Sequence, residues 1–239
     1  MPRPLRRRFC ALLLGVAATA VLCTAFAAPS PEAQDGYLTL PSPQPTDTGG
    51  KVEVIEFFAY YCPHCYAFEP GLGAWVKRQG DNIVFKRVHV SRDANVLPQQ
   101  RLFFTLEAMG LLEQYHDKVF AAMHVDHLRL NSDEQVFDWV ARNGIDRARF
   151  VDVYRSFGIQ QRLRRADAMM DAYGVDRWPV VVIEGRFLTS PSHANQIPNK
   201  AADEPRTEAQ QQELALQLMD VLVARAKADK NQAQKDKAR

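Results

Sequence analysis

Cys62-Pro63-His64-Cys65 follows directly on the apolar run Val52-Glu53-Val54-Ile55-Glu56-Phe57-Phe58. Two thiols one helical turn apart, where a buried strand gives way to a helix, make a dithiol/disulfide redox site. A helix N-terminus offers positive potential and unpaired backbone N–H groups, and both favour a thiolate over a thiol at Cys62. Pro63 suits the first helical turn because it has no N–H to leave unsatisfied. His64 adds a ring that donates to the neighbouring sulfur or, when charged, attracts it. Half of a structural zinc site also reads CxxC, but it needs two further soft ligands at close spacing. The remaining cysteines, Cys10 and Cys23, lie in a segment expected to be removed. A purely structural disulfide over two intervening residues would restrain little of the unfolded chain. Redox chemistry is therefore the reading of the motif, with no metal and no bound cofactor expected.

The segment that removes Cys10 and Cys23 is residues 1–27, which read as a secretory signal. Arg3, Arg6, Arg7 and Arg8 form a positive start, Leu12 to Val21 is uninterrupted apolar sequence, and Ala25-Phe26-Ala27 supplies a small-x-small cleavage pattern. A retained anchor would want about 20 apolar residues and is a marginal fit. A lipoprotein reading of Cys23 is weaker, because Leu22 stands where a small residue is needed. Cleavage after Ala27 takes four arginines and no acids, so the formal charge moves from +2 to −2. That leaves no basic surplus on which to argue nucleic-acid binding. An exported chain whose only cysteines form one CxxC uses them on other proteins.

The elements that must position the motif can be read in order. Residues 28–50 hold a polar, proline-containing lead to Gln34, an edge strand at Tyr37-Leu38-Thr39-Leu40 and a Pro/Gly-rich linker. Residues 51–95 read as strand, helix and strand: Val52 to Phe58 is apolar on both faces, the helix from Cys62 runs to about Gln79 with a kink at Pro70, and Ile83 to Val90 is the second strand. Residues 96–173 are helical throughout, with Ser132 and Gln135 as a capping box and Asp146 as a further cap. Residues 174–226 return to strand at Val180 to Ile183, turn at Glu184-Gly185-Arg186 into Phe187-Leu188, and close on a helix from Thr207 to Ala226. Residues 227–239 read as a disordered tail. The fold class is α/β: a thioredoxin fold interrupted by an inserted all-helical domain. The stretch between Cys65 and Trp178 is far longer than a minimal thioredoxin needs.

From Tyr37 to about Ala224 the chain resembles the DsbA family of periplasmic thiol:disulfide oxidoreductases, most specifically in the string Glu56 to Tyr66. That family has a strongly depressed first-cysteine pKa and an oxidising disulfide, and the resemblance implies both here. The physical link is direct. Each pKa unit below ambient pH favours the dithiol by about 1.4 kcal/mol, roughly 30 mV for a two-electron couple. The resemblance makes Pro179 a cis-proline facing the redox pair, with Trp178 lending backbone groups to an extended peptide. Family members carry a smaller residue, such as Val or Thr, before that proline, so Trp178 departs from the pattern. The resemblance also sets Glu56 and Glu69 beneath the pair with Arg87 as their basic partner, serving proton traffic for Cys65. A carboxylate raises a cysteine's pKa, so these acids cannot be what activates Cys62. His89 and His193 read as packing or surface histidines, and Arg162, Arg164 and Arg165 as a solvated helix face.

The resulting expectation is a monomeric periplasmic oxidase. It donates its disulfide to unfolded, newly exported cysteine-containing proteins and is reoxidised by a quinone-linked membrane partner of the DsbB type. The rivals are an isomerase or reductase on the same fold, which would want a dimerisation domain, and a peptide-binding chaperone with an idle CxxC.

Overall fold

The computed structural model describes residues 32–34, 36–91, 93–198 and 204–237, and the expected leader with Cys10 and Cys23 lies outside them. In chain order the first half is β1 (Glu32–Gln34), β2 (Tyr37–Thr39), β3 (Val52–Phe58), α1 (Pro63–Gln79) and β4 (Ile83–His89). Then come α2 (Leu97–Ala108), α3 (Leu112–His124), α4 (Asp133–Arg142), α5 (Arg147–Tyr154) and α6 (Phe157–Tyr173). The chain returns through β5 (Val180–Ile183) and β6 (Phe187–Thr189), then α7 (Pro191–Ala194) and α8 (Glu208–Lys237). The sheet order is β1-β2-β6-β5-β3-β4, with β3 parallel to β4 and antiparallel to β5.

Every residue of β3 is buried, as its run of apolar residues on both faces requires. Strand alternation divides that burial between two cores. Val52 and Val54 face one side, packing with Phe68, Leu72 and Trp75 of α1 and with Met219 and Leu222 of α8. Ile55 and Phe57 face the other, where the inserted helices contribute Leu102, Phe103, Tyr154 and Leu163. Trp75 is fully buried and its indole N–H donates to Asp220 Oδ1 at 2.8 Å, so α1 and α8 are joined by a polar contact as well as by packing. The capping residues act as their sequence positions suggest. Ser132 accepts from Gln135 N and Asp146 from Arg149 N, although the Gln135 side chain reaches back to Asn131 N instead of Ser132 N.

Three expectations are corrected. β2 is not an edge strand: β1 pairs with it antiparallel and takes the edge. Gln34 lies opposite Tyr37, and the intervening Asp-Gly dipeptide is the sequence that two-residue hairpins favour, with Gly36 at φ +81°. The lead before Tyr37 thus includes a strand. The third correction concerns the tail, because α8 continues unbroken past Ala226 to Lys237. Its Ala, Lys and Gln residues are good helix formers. Lys230 Nζ meets Glu184 Oε1 at 2.6 Å and Arg186 meets Asp229 at 3.0 Å, so the extension is tied to the β5–β6 turn. That turn needs its glycine. Gly185 has φ +60°, and a Cβ there would come within 2.2 Å of Gln44 O.

Candidate active site

Cys62 is the N-cap of α1, and Pro63 occupies the first turn with no N–H to satisfy. The Cys62 Sγ accepts from Cys65 N at 3.4 Å, and both sulfurs are free. Both residues are buried, Cys62 at 6 % exposure and Cys65 at 0 %, so the accessible sulfur is Cys62 by a narrow margin of area. Their chemistry differs much more. A hydrogen bond from the Cys65 side chain pulls the Cys62 pKa down to about 6, against the opposing effect of burial, aided by the Cys65 and His64 backbone N–H groups and the His64 charge. Cys65 goes the other way: burial first, then its role as partner to Cys62, hold it well above the usual thiol value. One sulfur is a thiolate at neutral pH and its neighbour a thiol.

His64 is exposed. Its Nδ1 lies 2.8 Å from Glu208 Oε1, the first residue of α8. That hydrogen bond raises the His64 pKa, with burial opposing and the charges of Glu208 and Cys62 assisting. Glu208 is itself fixed by a reciprocal cap, in which Gln210 N donates to Thr207 Oγ1 and Thr207 N donates to Gln210 Oε1. Its part in the site has no local sequence signal, since it lies 143 positions beyond Cys65.

The Trp178–Pro179 peptide bond is cis. Trp178 O lies 3.7 Å from Cys62 Sγ, and the Trp178 ring meets Tyr61 edge-on at 6.2 Å. His64, Arg177, Trp178, Pro179, Pro191 and Glu208 line a cavity of about 330 Å³. The cis-proline and the ring of Trp178 thus form one side of a mixed apolar and polar cleft, while the Trp178 carbonyl approaches the Cys62 sulfur.

Beneath the pair, the structure brings Glu56, Glu69 and Arg87 together. Strand alternation puts Glu56 on the α1 face of the sheet, and register sets it beside Arg87 of β4. Arg87 Nε donates to Glu56 Oε2 at 3.1 Å, and the Arg87 NH2 group to Glu69 Oε1 at 2.5 Å. Glu56 is completely buried, and that burial, with the Glu69 charge, pushes its pKa up to about 8. For Glu69 burial also acts upward, but His116 and Arg87 outweigh it and hold the carboxyl below its usual value. Glu56 is thus a neutral acid at pH 7 and Glu69 a carboxylate.

His116 and Tyr60 complete this cluster, and neither was singled out by sequence. Tyr60 OH lies 3.0 Å from His116 Nδ1, and His116 Nε2 lies 3.4 Å from Glu69 Oε2. The available signal was a histidine among Tyr115, Val119 and Phe120 on the buried stripe of α3. His89 and His193 are buried, as packing histidines. His89 Nε2 accepts from Tyr60 N at 3.1 Å, and burial pushes its pKa down to about 3. His193 N donates to Ser190 Oγ in the cap of α7. Arg162, Arg164 and Arg165 are exposed, and Arg162 pairs with Glu107. Among the described residues, no group of three or more His, Cys, Asp or Glu side chains is disposed to hold a metal ion.

The chain matches the family model described as a DSBA-like thioredoxin domain over residues 53–198. It is 40% identical over 191 residues to the thiol:disulfide interchange protein DsbA of Burkholderia cepacia, covering 80% of this chain and 90% of that one. To the DsbA of Bordetella pertussis it is 39% identical over 178 residues, covering 74% and 85%. The crystal structure of Pseudomonas aeruginosa DsbA superposes with a TM-score of 0.72 at 31% identity, covering 82% of this chain and 95% of that one. Sequence and fold agree with a dithiol whose two sulfurs are held in opposite protonation states, and the chain belongs to the DsbA family of thiol:disulfide oxidoreductases.

Proposed function

We propose that the protein installs disulfides in newly exported, unfolded proteins of the periplasm, accepting each client at Cys62. The observation that carries this is the split between the cysteines, one pulled down to about 6 and the other pushed up. A thiolate stabilised in the dithiol form makes the disulfide form the one that gives up its bond readily. In the oxidised enzyme a client thiolate attacks Cys62 Sγ, and the electron pair of the Cys62–Cys65 bond leaves on Cys65. A buried Cys65 thiolate is costly. In this reading Glu56, neutral at pH 7 because burial has raised its pKa and hydrogen-bonded to Arg87, hands Cys65 a proton and takes up the negative charge. A second client thiolate then attacks the client sulfur of the mixed disulfide. The client disulfide forms, and Cys62 leaves as the thiolate that its surroundings favour. Cys65 attack on Cys62 releases stalled complexes.

The cleft beside Trp178 and Pro179 suits an extended peptide, with Trp178 O near the reacting sulfur. Membership of the family supports reoxidation by a quinone-linked membrane protein of the DsbB type. The leader-like residues 1–27 support export. The enzyme acts as a monomer.

The test is the direction of transfer. Oxidised enzyme mixed with a reduced, unfolded client installs disulfides stoichiometrically within minutes, and Cys62→Ser abolishes this. Better recovery of a scrambled client by reduced enzyme than oxidation of a reduced one would replace this reading with the isomerase.

A further inference from the structure

Glu56 and Glu69 share one guanidinium, through Arg87 Nε and its NH2 group. Two carboxyl groups around one buried cation leave one negative charge too many, so one proton is retained. The two acids do not compete for it on equal terms. Among the described residues, Glu56 Oε1 is buried with no hydrogen-bond partner, and the cation paired with Glu56 is the shared Arg87. Glu69 has a second neighbour, His116, with Nε2 3.4 Å from Oε2. At that length and off the N–H axis the contact is electrostatic, since neither atom completes a hydrogen bond there.

The imidazole is oriented from its other side. Burial holds the Tyr60 hydroxyl well above its usual pKa, so it stays protonated, and it lies 3.0 Å from His116 Nδ1. The tautomer that serves Glu69 is the one in which Nδ1 accepts from Tyr60 and the ring hydrogen sits on Nε2. Phe58 and Phe120 meet the His116 ring edge-on at 5.2 and 5.1 Å and fix its plane. The charged and titratable groups around this cluster come from every element against it. They are Glu56 from β3, Arg87 and His89 from β4, Cys62, Cys65 and Glu69 in the cap and first turns of α1, Tyr60 in the turn before them, and Glu113 and Asp117 on α3 with His116 itself.

We infer that His116, oriented by the Tyr60 hydroxyl, is a positioning residue that places the shared proton on Glu56 and keeps Glu69 ionised. The proton is then held on the acid proposed to serve Cys65, so the inference rests on the function proposed above. His116 touches neither sulfur and acts only through Glu69.

The experiment is a carboxyl-carbon NMR titration of the reduced full chain labelled at glutamate, with Glu56 and Glu69 assigned from Glu56→Gln and Glu69→Gln. In the wild type Glu56 titrates near pH 8 and Glu69 below the usual carboxylate range. In His116→Phe the Glu56 midpoint falls and the Glu69 midpoint rises, each by about one unit. His116→Gln, which keeps an N–H donor near the Nε2 position, restores much of the separation. Tyr60→Phe shifts both midpoints in the same directions by less, and decides the matter if His116→Phe does not fold. Unchanged midpoints in the folded variants overturn the role of His116 and leave the function of Glu56 standing. A wild type in which Glu56 is ionised at pH 7 overturns both, whereas loss of client oxidation with intact midpoints would fault only the functional reading.

Discussion

His64 Nδ1 stands 2.8 Å from Glu208 Oε1, which joins the redox motif at the start of α1 to the first turn of α8. The pair lies at the surface, so its effect on overall stability is small. Its effect on Cys62 is electrical, because Glu208 keeps the imidazole charged to higher pH and that charge favours the thiolate.

Replacing Glu208 with Gln lowers the His64 pKa, so the imidazolium near Cys62 is lost at a lower pH. The enzyme becomes less oxidising at pH 7, by a few-fold in its equilibrium with glutathione, and the difference vanishes at a pH where His64 is charged in both proteins. His64→Ala produces the same change and makes Glu208→Gln silent. An additive double variant would show that Glu208 acts by another route.

Alkylation of the reduced enzyme by iodoacetamide follows the Cys62 thiolate, with a midpoint near pH 6, while Cys65 stays protected until unfolding. The same depression sets a stability profile. A thiol with a folded pKa below its unfolded one stabilises the reduced fold fully above the unfolded value, and loses that contribution as pH falls through about 6. Thermal melts of reduced and oxidised protein therefore converge on acidification. A reduced form that gains stability over that range contradicts the assignment.

Glu56 has the opposite sign. Its folded pKa of about 8 lies above the unfolded value, so its contribution is complete below about 4.5 and is lost as pH rises toward 8. Each proton so linked gives a slope of up to about 1.4 kcal/mol per pH unit. Glu56→Gln removes that slope while its amide oxygen still accepts from Arg87. Urea denaturation from pH 5 to 9 should show the variant overtaking the wild type as pH rises, with slower formation of the mixed disulfide near neutrality.

Trp178 contributes its carbonyl to the Cys62 sulfur and its ring to the rim beside Tyr61. Substitution by Val keeps the backbone and removes the ring. The glutathione equilibrium should move less than in His64→Ala, whereas oxidation rates for bulky and small peptide clients should diverge from the wild-type pattern. Stopped-flow measurement with a peptide series reads both.

Lys230 lies in the part of α8 that composition alone assigns to a tail. It is mostly buried and bonds to Glu184 Oε1 at 2.6 Å and Lys51 O at 2.9 Å. Lys230→Ala should cost about 1.5–3 kcal/mol of unfolding free energy, the range for a hydrogen bond to a charged group, without altering Cys62 alkylation. A loss below the noise of denaturation would mean that the extension is not coupled to the β5–β6 turn.

The chemistry of this protein is local, and local chemistry is written in the sequence. A CxxC after a run of apolar strand residues fixes a dithiol at a helix N-terminus, because strand burial, proline at the first turn and the thiol spacing all act within a few residues. The capping residues Ser132 and Asp146 and the Glu184-Gly185 turn are legible for the same reason. What tertiary structure alone decided is which distant groups meet. Glu56 and Arg87 become neighbours through the register of β3 and β4. Glu69 meets His116 only because α1 and α3 converge on Phe58, Tyr60 and Phe120. Glu208 reaches His64 from far along the chain, and α8 is held past Ala226 by the β5–β6 turn, whose Glu184 and Arg186 meet Lys230 and Asp229. Protonation at the site follows from those meetings. Desolvation and the nearest charges set it, and both are properties of the packed neighbourhood that no spacing along the chain encodes.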